Sequence, residues 1–395
     1  MAVVPKLSRR ARWAVPIGAL VITGGVMAGS LISGAQAAPG LPPRTPAQLL
    51  AQVADSSAPP LTGTVVETAS FGLPALPGTE NPTSLASLLT GSHTIQVWSA
   101  GPEHYRLAVP ESLSETDFIR DGRTAWLWQS TQNSVTEFSL PAYHAAPVTP
   151  PVQPLTPQQA AQQVLAAVGP TTTVSVASNV TVAGKAAYEL VVAPKDSRSL
   201  VGQVQIAVDG SNGVPLRLQV FARGASSPAF EVGYTSVQFV TPAPADLSFT
   251  PPPTAKVTRV NLATGSPDQA GQGAPGVSSI GSGWLTVLEL PSSALTPSIA
   301  SGGPGGSGGP VSVNNSAGDS AAVIGALLAS ATPVHGAWGT GRLLRTSLIS
   351  VLMTDNGRTF LGAVQPSVLY AAAAQAGHGG WVAYSPMRSG PAATP

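Results

Sequence analysis

The chain has 395 residues, of which 43% are hydrophobic and only 9% are charged, so it has apolar side chains enough for a sizeable core and is not a disordered polyelectrolyte. Its formal net charge of +1 excludes a nucleic-acid binder that works through bulk positive charge. Because it contains no cysteine, disulfide scaffolds, thiolate metal sites and cysteine nucleophiles are also excluded.

The N-terminal segment, residues 1–37, has the pattern of an export signal. Basic side chains precede an apolar run from Trp13 to Ile32, and the small-x-small triplet Ala35-Gln36-Ala37 follows it. Signal peptidases cut after such a triplet, whereas a run of about 20 apolar residues can also remain in a bilayer as an anchor. The sequence therefore predicts an exported protein with either a cleaved signal peptide or an N-terminal anchor that contacts the membrane.

Residues 45–260 are predicted to form the main folded unit. Two helices, at 46–54 and 157–168, both begin with Thr-Pro, which suits a cap residue followed by the first helical position. The remainder is rich in short runs with strand-like composition and alternation. These runs lie near 61–71, 94–98, 105–109, 115–120, 123–130, 134–140, 171–177, 186–193, 202–209, 214–223 and 230–240. So many strands with so few helices predict an α+β fold in which an antiparallel sheet curls over the helices.

A smaller unit is predicted after the main one. Residues 261–283 are rich in Gly, Ser, Pro and Gln and are interpreted as a linker. A small C-terminal α+β domain would follow over 284–380, interrupted by a Gly/Ser/Pro-rich insertion at 301–319. Within that domain, Asp355-Asn356-Gly357 predicts a hairpin and 366–376 predicts a closing helix.

Residues that could carry catalysis or bind a metal are sparse. The five histidines lack the spacing of metal ligands, and carboxylates are not clustered for a hard cation. Gly305-Gly306-Ser307-Gly308-Gly309 matches the letters of a nucleophile elbow, but no predicted strand precedes it and no predicted helix follows. We therefore predict a protein that is not an enzyme and that has no metal site and no cofactor.

Apolar stripes on the predicted strands are the candidate ligand-binding surface, because side chains two positions apart share one face of a strand. One interpretation is ordinary core beneath the helices. The other is a concave apolar cavity, which suits acyl chains because each buried CH₂ contributes about 0.8 kcal/mol without any directional contact. The candidate cavity residues are Ile95, Val97, Trp126, Trp128, Val204, Ile206, Val208, Leu216, Leu218 and Val220.

Two motifs resemble those of a known group of envelope proteins. Asp209 to Arg217 reads D-x-x-x-G-x-P-L-R within a strand–turn–strand, and it resembles the corresponding segment of LolA/LppX-type and RseB/MucB-type proteins. The strand at 230–239 and Phe249-Thr250-Pro251-Pro252 resemble the later strand and the F-x-P-P exit of the same group. The resemblance covers 45–260, and 276–380 would correspond to the small C-terminal domain of RseB-like proteins.

The resemblance implies a half-open antiparallel barrel with a helical lid, whose cavity holds lipid or lipoprotein acyl chains. It leaves two functions open. One is an exported carrier or chaperone of lipids or lipoproteins in the bacterial cell envelope, in a periplasm-like space or at the cell surface. The other is an RseB-like regulator that docks on a membrane-bound anti-sigma factor and senses lipid. The absence of cysteine sets the chain apart from the acylated LppX type.

Overall fold

A computed structural model describes residues 40–55, 59–73, 90–111, 113–140, 156–166, 169–261, 277–291, 325–327 and 329–378. The predicted export segment at 1–37 and the Gly/Ser/Pro-rich insertion at 301–319 lie outside these residues. The described part contains two sheets, one of thirteen strands and one of six.

The strands of the larger sheet all lie between residues 61 and 261. Its strands are β1 (Leu61–Ser70), β2 (Thr90–Gly101), β3 (His104–Pro110), β4 (Glu115–Asp121), β5 (Thr124–Gln129), β6 (Ser134–Ser139), β7 (Thr172–Val176), β8 (Val180–Val182), β9 (Lys185–Pro194), β10 (Val201–Asp209), β11 (Pro215–Ala222), β12 (Pro228–Gln238) and β13 (Lys256–Asn261). Neighbours follow the order β13-β6-β5-β4-β3-β2-β1-β12-β11-β10-β9-β7, and β8 also pairs with β9. Every pair is antiparallel except β13 with β6. Within the described residues the two ends of this order do not pair with each other, so the curled sheet is open.

Two helices pack on one side of the larger sheet: α1 (Pro46–Asp55) and α2 (Pro157–Ala166). Both begin with a reciprocal cap that their Thr-Pro-x-Gln sequence provides. The Thr45 hydroxyl accepts a bond from the Gln48 amide, and the Gln48 side chain accepts one from the Thr45 amide, at 3.3 and 2.9 Å. Thr156 and Gln159 repeat this arrangement at the same distances. Because two N-terminal amides are satisfied in each case, both helices start where the sequence predicts.

After β12 the chain crosses the other side of the sheet. This crossing segment, residues 239–255, is called the strap, and it contains the short helix α3 (Pro244–Leu247), which packs on β2, β3 and β4. The strap ends at the far edge, where the Asn133 side chain donates a 2.9 Å bond to the Thr254 carbonyl and β13 begins. The parallel pairing of β13 with β6 was not predicted from the sequence.

The smaller sheet follows the first in the chain. Its strands are β14 (Ser278–Ile280), β15 (Val287–Pro291), β16 (Thr332–Gly336), β17 (Gly339–Arg345), β18 (Ser350–Thr354) and β19 (Arg358–Gly362), in the antiparallel order β14-β15-β19-β18-β17-β16. Helix α4 (Pro366–His378) packs on β15, β18 and β19. The Asp355-Asn356-Gly357 turn joins β18 to β19, as predicted, with Gly357 at φ 81°. Strand β14 falls inside the segment that the sequence predicts as a linker, and the 3₁₀ turn Gly283–Leu285 begins at its last residue.

The two sheets contact each other through backbone and side chains. The Leu200 amide donates to the Ala363 carbonyl at 2.9 Å, beside an isolated bridge between Ser199 and Val364. Elsewhere, the Trp284 indole N–H donates to the Thr172 hydroxyl at 2.8 Å, with both residues buried. The second unit is thus docked on the first, because these contacts join segments more than a hundred residues apart.

Candidate functional site

The face of the larger sheet that α1 and α2 cover, here called the inner face, is lined by apolar side chains from neighbouring strands. Ile206 lies opposite Leu218 across β10 and β11, and Ile95 lies opposite Val65 across β2 and β1. Strand β12 connects these two groups because it pairs with both β11 and β1. Eight of the ten predicted cavity residues belong to this one buried cluster: Ile95, Val97, Val204, Ile206, Val208, Leu216, Leu218 and Val220.

The inner face is closed in this structure. Its eight predicted residues are between 0 and 3% exposed. The covering helices contribute Leu49 and Val53 from α1, and Ala160 and Ala161 from α2, all of them buried in the same cluster. An acyl chain could therefore reach this face only if a covering element moved.

Trp126 and Trp128 do not lie on the inner face, which corrects the sequence-based prediction for these two residues. Their rings contact Phe249 of the strap, with centroid separations of 6.1 and 6.5 Å. Leu127 between them points to the inner face, where it lies opposite Phe118 and is buried. The alternation along β5 was predicted, but the strap that covers the tryptophan side could not be seen from it.

Two polar residues on the inner face were missed. Glu67 of β1 lies directly opposite His93 of β2, and both are buried. Burial raises the pKa of Glu67 to about 8 and lowers the pKa of His93 to about 4, because it disfavours the charged form of each group. One signal was available in the sequence: Glu67 alternates with Val65 and Ala69, so the period of two places its carboxyl on the apolar face.

The opposite, outer face carries the ion pairs of the larger sheet. Arg106 bonds to Asp117, and its guanidinium lies 5.6 Å from the centre of the Trp98 ring. Burial raises the pKa of Asp117 to about 6, an effect that the Arg106 charge only partly offsets. These charges are on the strap side, so they do not contact an apolar ligand held on the inner face.

The D-x-x-x-G-x-P-L-R motif stabilises the fold between β10 and β11. The Asp209 carboxylate accepts a 2.8 Å bond from the Ser211 amide, and Gly213 has a φ of 78°, which a residue with a Cβ rarely adopts. Arg217 points to the outer face and forms a 2.9 Å ion pair with Glu189. Of the motif residues, Leu216 lies on the inner face, whereas the Asp209 and Arg217 side chains do not.

The described part of the chain contains neither a cluster of metal-ligating side chains nor a helix that could cross a membrane. No group of three or more His, Cys, Asp or Glu side chains is placed there to hold a metal ion. No helix among those residues has both the length and the apolar character needed to cross a membrane.

No protein-family model matches the sequence, and no curated protein matches it. Solved structures that match this chain include the complex structure of Pseudomonas aeruginosa MucA/MucB, at 15% identity and a TM-score of 0.40, covering 83% of this chain and 96% of the matched chain. An uncharacterized conserved protein from Thermus thermophilus has 12% identity and a TM-score of 0.32, covering 54% of this chain and 98% of its own. A LolA superfamily protein from Nitrosomonas europaea has 12% identity and a TM-score of 0.23, covering 52% of this chain and 99% of its own. Because these TM-scores are low, the architecture of this chain rests on its own strand order.

Proposed function

We propose that this chain is an exported protein of the cell envelope that binds acyl chains of lipids or lipoproteins on the inner face of its larger sheet. One observation supports this most: eight apolar side chains from β2, β10 and β11 lie in one cluster on one face of an open, curled sheet. The export pattern of residues 1–37 supports a location outside the cytoplasm. Binding of this kind requires no catalytic group.

The covering helices act as a lid in this proposal. Burying the Leu49 and Val53 side chains of α1 contributes about 1.5–3 kcal/mol each. Ala160 and Ala161 of α2 add less, because an alanine has a single methyl group to bury. Burying the apolar surface of a sixteen-carbon chain would contribute about 10 kcal/mol, at about 0.8 kcal/mol per CH₂. These four side chains thus contribute less than a long acyl chain would gain in their place.

The first test is whether the protein carries a ligand. Native mass spectrometry of the full chain, purified from its own envelope, is expected to detect bound species with the masses of acyl lipids or acylated peptides. The purified protein should also take up a fluorescent sixteen-carbon fatty acid. A folded protein that carries no acyl ligand and takes up no probe would refute the proposal.

A second test cross-links the lid to the larger sheet. Because the chain contains no cysteine, only the two introduced cysteines can react with the reagent. Gln52 of α1 lies against the β10–β11 turn, since a Cβ built on Gly213 would come within 2.6 Å of the Gln52 Cγ atom. The double variant Gln52→Cys and Ser211→Cys, joined by a short bismaleimide, should take up the fluorescent probe at least tenfold more slowly than the same variant before cross-linking.

The matched control places the cross-link in the smaller sheet. Thr340 and Asp355 are exposed there and hydrogen-bonded to each other, so Thr340→Cys with Asp355→Cys accepts the same reagent. Cross-linking this control should leave uptake as it is. Equal uptake by the fully cross-linked lid variant would mean that α1 does not gate the inner face.

A regulator is the second candidate, and the docked smaller sheet is the feature that favours it. A carrier needs only the larger sheet, whereas the resemblance to RseB-like proteins implies a second domain alongside it. The contacts of Leu200 and Trp284 with the other unit hold the two sheets together, as a two-domain sensor would require. Isolation of the full chain from native membranes in a stable complex with a transmembrane anti-sigma factor would select the regulator. Transfer of lipid between vesicles without such a complex would select the carrier.

A further inference from the structure

Glu67 and His93 form a pair of titratable side chains on the largely apolar inner face. They occupy opposite positions of the β1–β2 ladder, and Val232 of β12 lies on the other side of Glu67. Along their own strands the next side chains on the same face are apolar: Val65 and Ala69 beside Glu67, and Ile95 beside His93. The pair is therefore surrounded by the surface that is proposed to hold an acyl chain.

Neither side chain is fully satisfied by the protein. Glu67 is 3% exposed and His93 is 5% exposed. Among the residues that the structure describes, the Glu67 Oε1 atom and the His93 Nε2 atom have no hydrogen-bond partner. Buried polar atoms in folded proteins nearly always have partners, so two such atoms on cross-strand neighbours require an explanation. Apolar residues at both positions would be less costly for folding, which indicates that the pair serves a purpose other than stability.

The chemistry of the pair selects the kind of group it could bind. Burial keeps the Glu67 carboxyl protonated and the His93 imidazole uncharged at neutral pH, so neither side chain brings a net charge to this face. A protonated carboxyl donates a hydrogen bond, and a neutral imidazole either donates or accepts one. A phosphate or an ammonium group would be poorly stabilised here, because neither residue supplies an opposite charge and water is excluded. A carbonyl oxygen, which is uncharged and accepts hydrogen bonds, fits the pair.

We propose that Glu67 and His93 form a polar subsite on the inner face that hydrogen-bonds the uncharged carbonyl of an ester- or amide-linked acyl chain. The inference rests on the proposed function, because an acyl ligand must first reach this face. Ester and amide linkages share the carbonyl acceptor but come from different sources, a glycerolipid in one case and an N-acylated protein in the other.

The test compares ligands that differ only in the polar group. Methyl laurate and N-methyl lauramide carry an ester and an amide, and tridecane has neither. Displacement of the uncharged dye N-phenyl-1-naphthylamine from the full chain gives an apparent affinity for each. The measured quantity is the ratio of ester or amide affinity to alkane affinity, which cancels changes in the apolar part of the site.

Glu67→Met should lower that ratio about threefold to tenfold, which is the usual worth of one hydrogen bond. His93→Phe should also lower the ratio of ester or amide affinity to alkane affinity. It provides an independent variant in case Glu67→Met folds poorly. The control is Glu231→Met on β12, a carboxylate that points to the outer face and bonds to Gln219. This control should leave the ratio unchanged.

The outcomes separate the subsite from the function on which it rests. A ratio that is equal in the wild type, Glu67→Met and His93→Phe, with all three ligands bound, would overturn the subsite and leave the acyl-binding function intact. A folded wild type that binds none of the ligands would overturn both. A fall confined to the ester or to the amide would support the subsite and identify which linkage it recognises.

Discussion

Glu67 makes the stability of this protein depend on pH in a direction opposite to that of most carboxylates. Its pKa is about 8 in the folded chain, whereas an ordinary glutamate has 4.5. Between these two values the unfolded chain has lost the Glu67 proton and the folded chain has kept it. Unfolding then releases a proton, so the free energy of unfolding falls as the pH rises from 4.5 to 8. Below pH 4.5 both states are protonated and Glu67 has no such effect.

The size of the effect follows from the two pKa values. The difference between 4.5 and about 8 corresponds to a loss on the order of 5 kcal/mol once the pH reaches 8. Partial opening of the inner face to water would reduce that figure. Even half of it is a large fraction of the 5–15 kcal/mol, roughly, by which domains are usually stable.

The experiment measures urea unfolding of the wild type and of Glu67→Gln, followed by tryptophan fluorescence, at several pH values from 4.5 to 8.5. The variant cannot ionise at this position, so its stability relative to wild type should increase steadily over that range. A part of the stability difference that is the same at every pH would reflect packing alone. The prediction concerns the part that changes with pH. A difference that stays flat with pH would refute the reasoning, because it would mean that Glu67 ionises in the folded chain as it does in the unfolded one.

His93→Phe is the matched variant, and the sign of its effect is reversed. Burial lowers the pKa of His93 from 6.5 to about 4. Between these values the unfolded chain binds a proton that the folded chain does not, so His93 reduces stability as the pH falls from 6.5 to 4. The variant should therefore exceed the wild type most at pH 4, and the pH-dependent part of the difference should disappear above 6.5.

Three further predictions concern the strap, the outer face and the division of the chain. Phe249→Ala should cost about 1–3 kcal/mol in urea unfolding, because two ring contacts at about 0.5–1.5 kcal/mol each are lost, and acyl-probe uptake should not change. Gly233→Ala should lower the thermal midpoint, because the new Cβ would lie 3.0 Å from the Arg217 Cγ atom and displace that side chain from Glu189. An unchanged midpoint would show that Arg217 can move without loss of stability. Limited proteolysis should cut first within 262–276 and release a stable fragment ending near 260, whereas a chain that resists cleavage there would contradict the predicted linker.

Local rules predicted the elements whose causes lie within a few residues. The Thr-Pro-x-Gln sequences predicted both helix starts, and each cap is closed by residues three positions apart. The Asp355-Asn356-Gly357 turn predicted its hairpin because the requirement for a positive φ at Gly357 is local too. Alternation in β10 and β11 likewise predicted which side chains share a face, and the structure places those of both strands in one cluster.

The errors came from contacts between distant parts of the chain. Alternation shows that Trp126 and Leu127 point to opposite sides of β5, but it does not show which side the strap will cover. That depends on Phe249, which lies more than a hundred residues later in the chain. Strand β13 was missed for the same reason, since its pairing with β6 joins segments separated by the whole of β7 to β12. Glu67 was overlooked because a charged residue in a strand is normally assigned to the solvent side.

The turn and ion-pair residues of the motif that supports the resemblance stabilise the fold, so they carry no information about a ligand. The Asp209 carboxylate and Gly213 fix the turn, and Arg217 forms its ion pair on the outer face, so all three act before any ligand is bound. Substituting them would weaken the binding of any ligand through loss of structure and could not separate a carrier from a regulator. The inner face is different, because the Glu67 Oε1 and His93 Nε2 atoms are buried without a partner among the described residues, and the proposed subsite would give them one. Variants at those two positions can therefore gain stability while losing selectivity, a combination that a purely structural role does not produce.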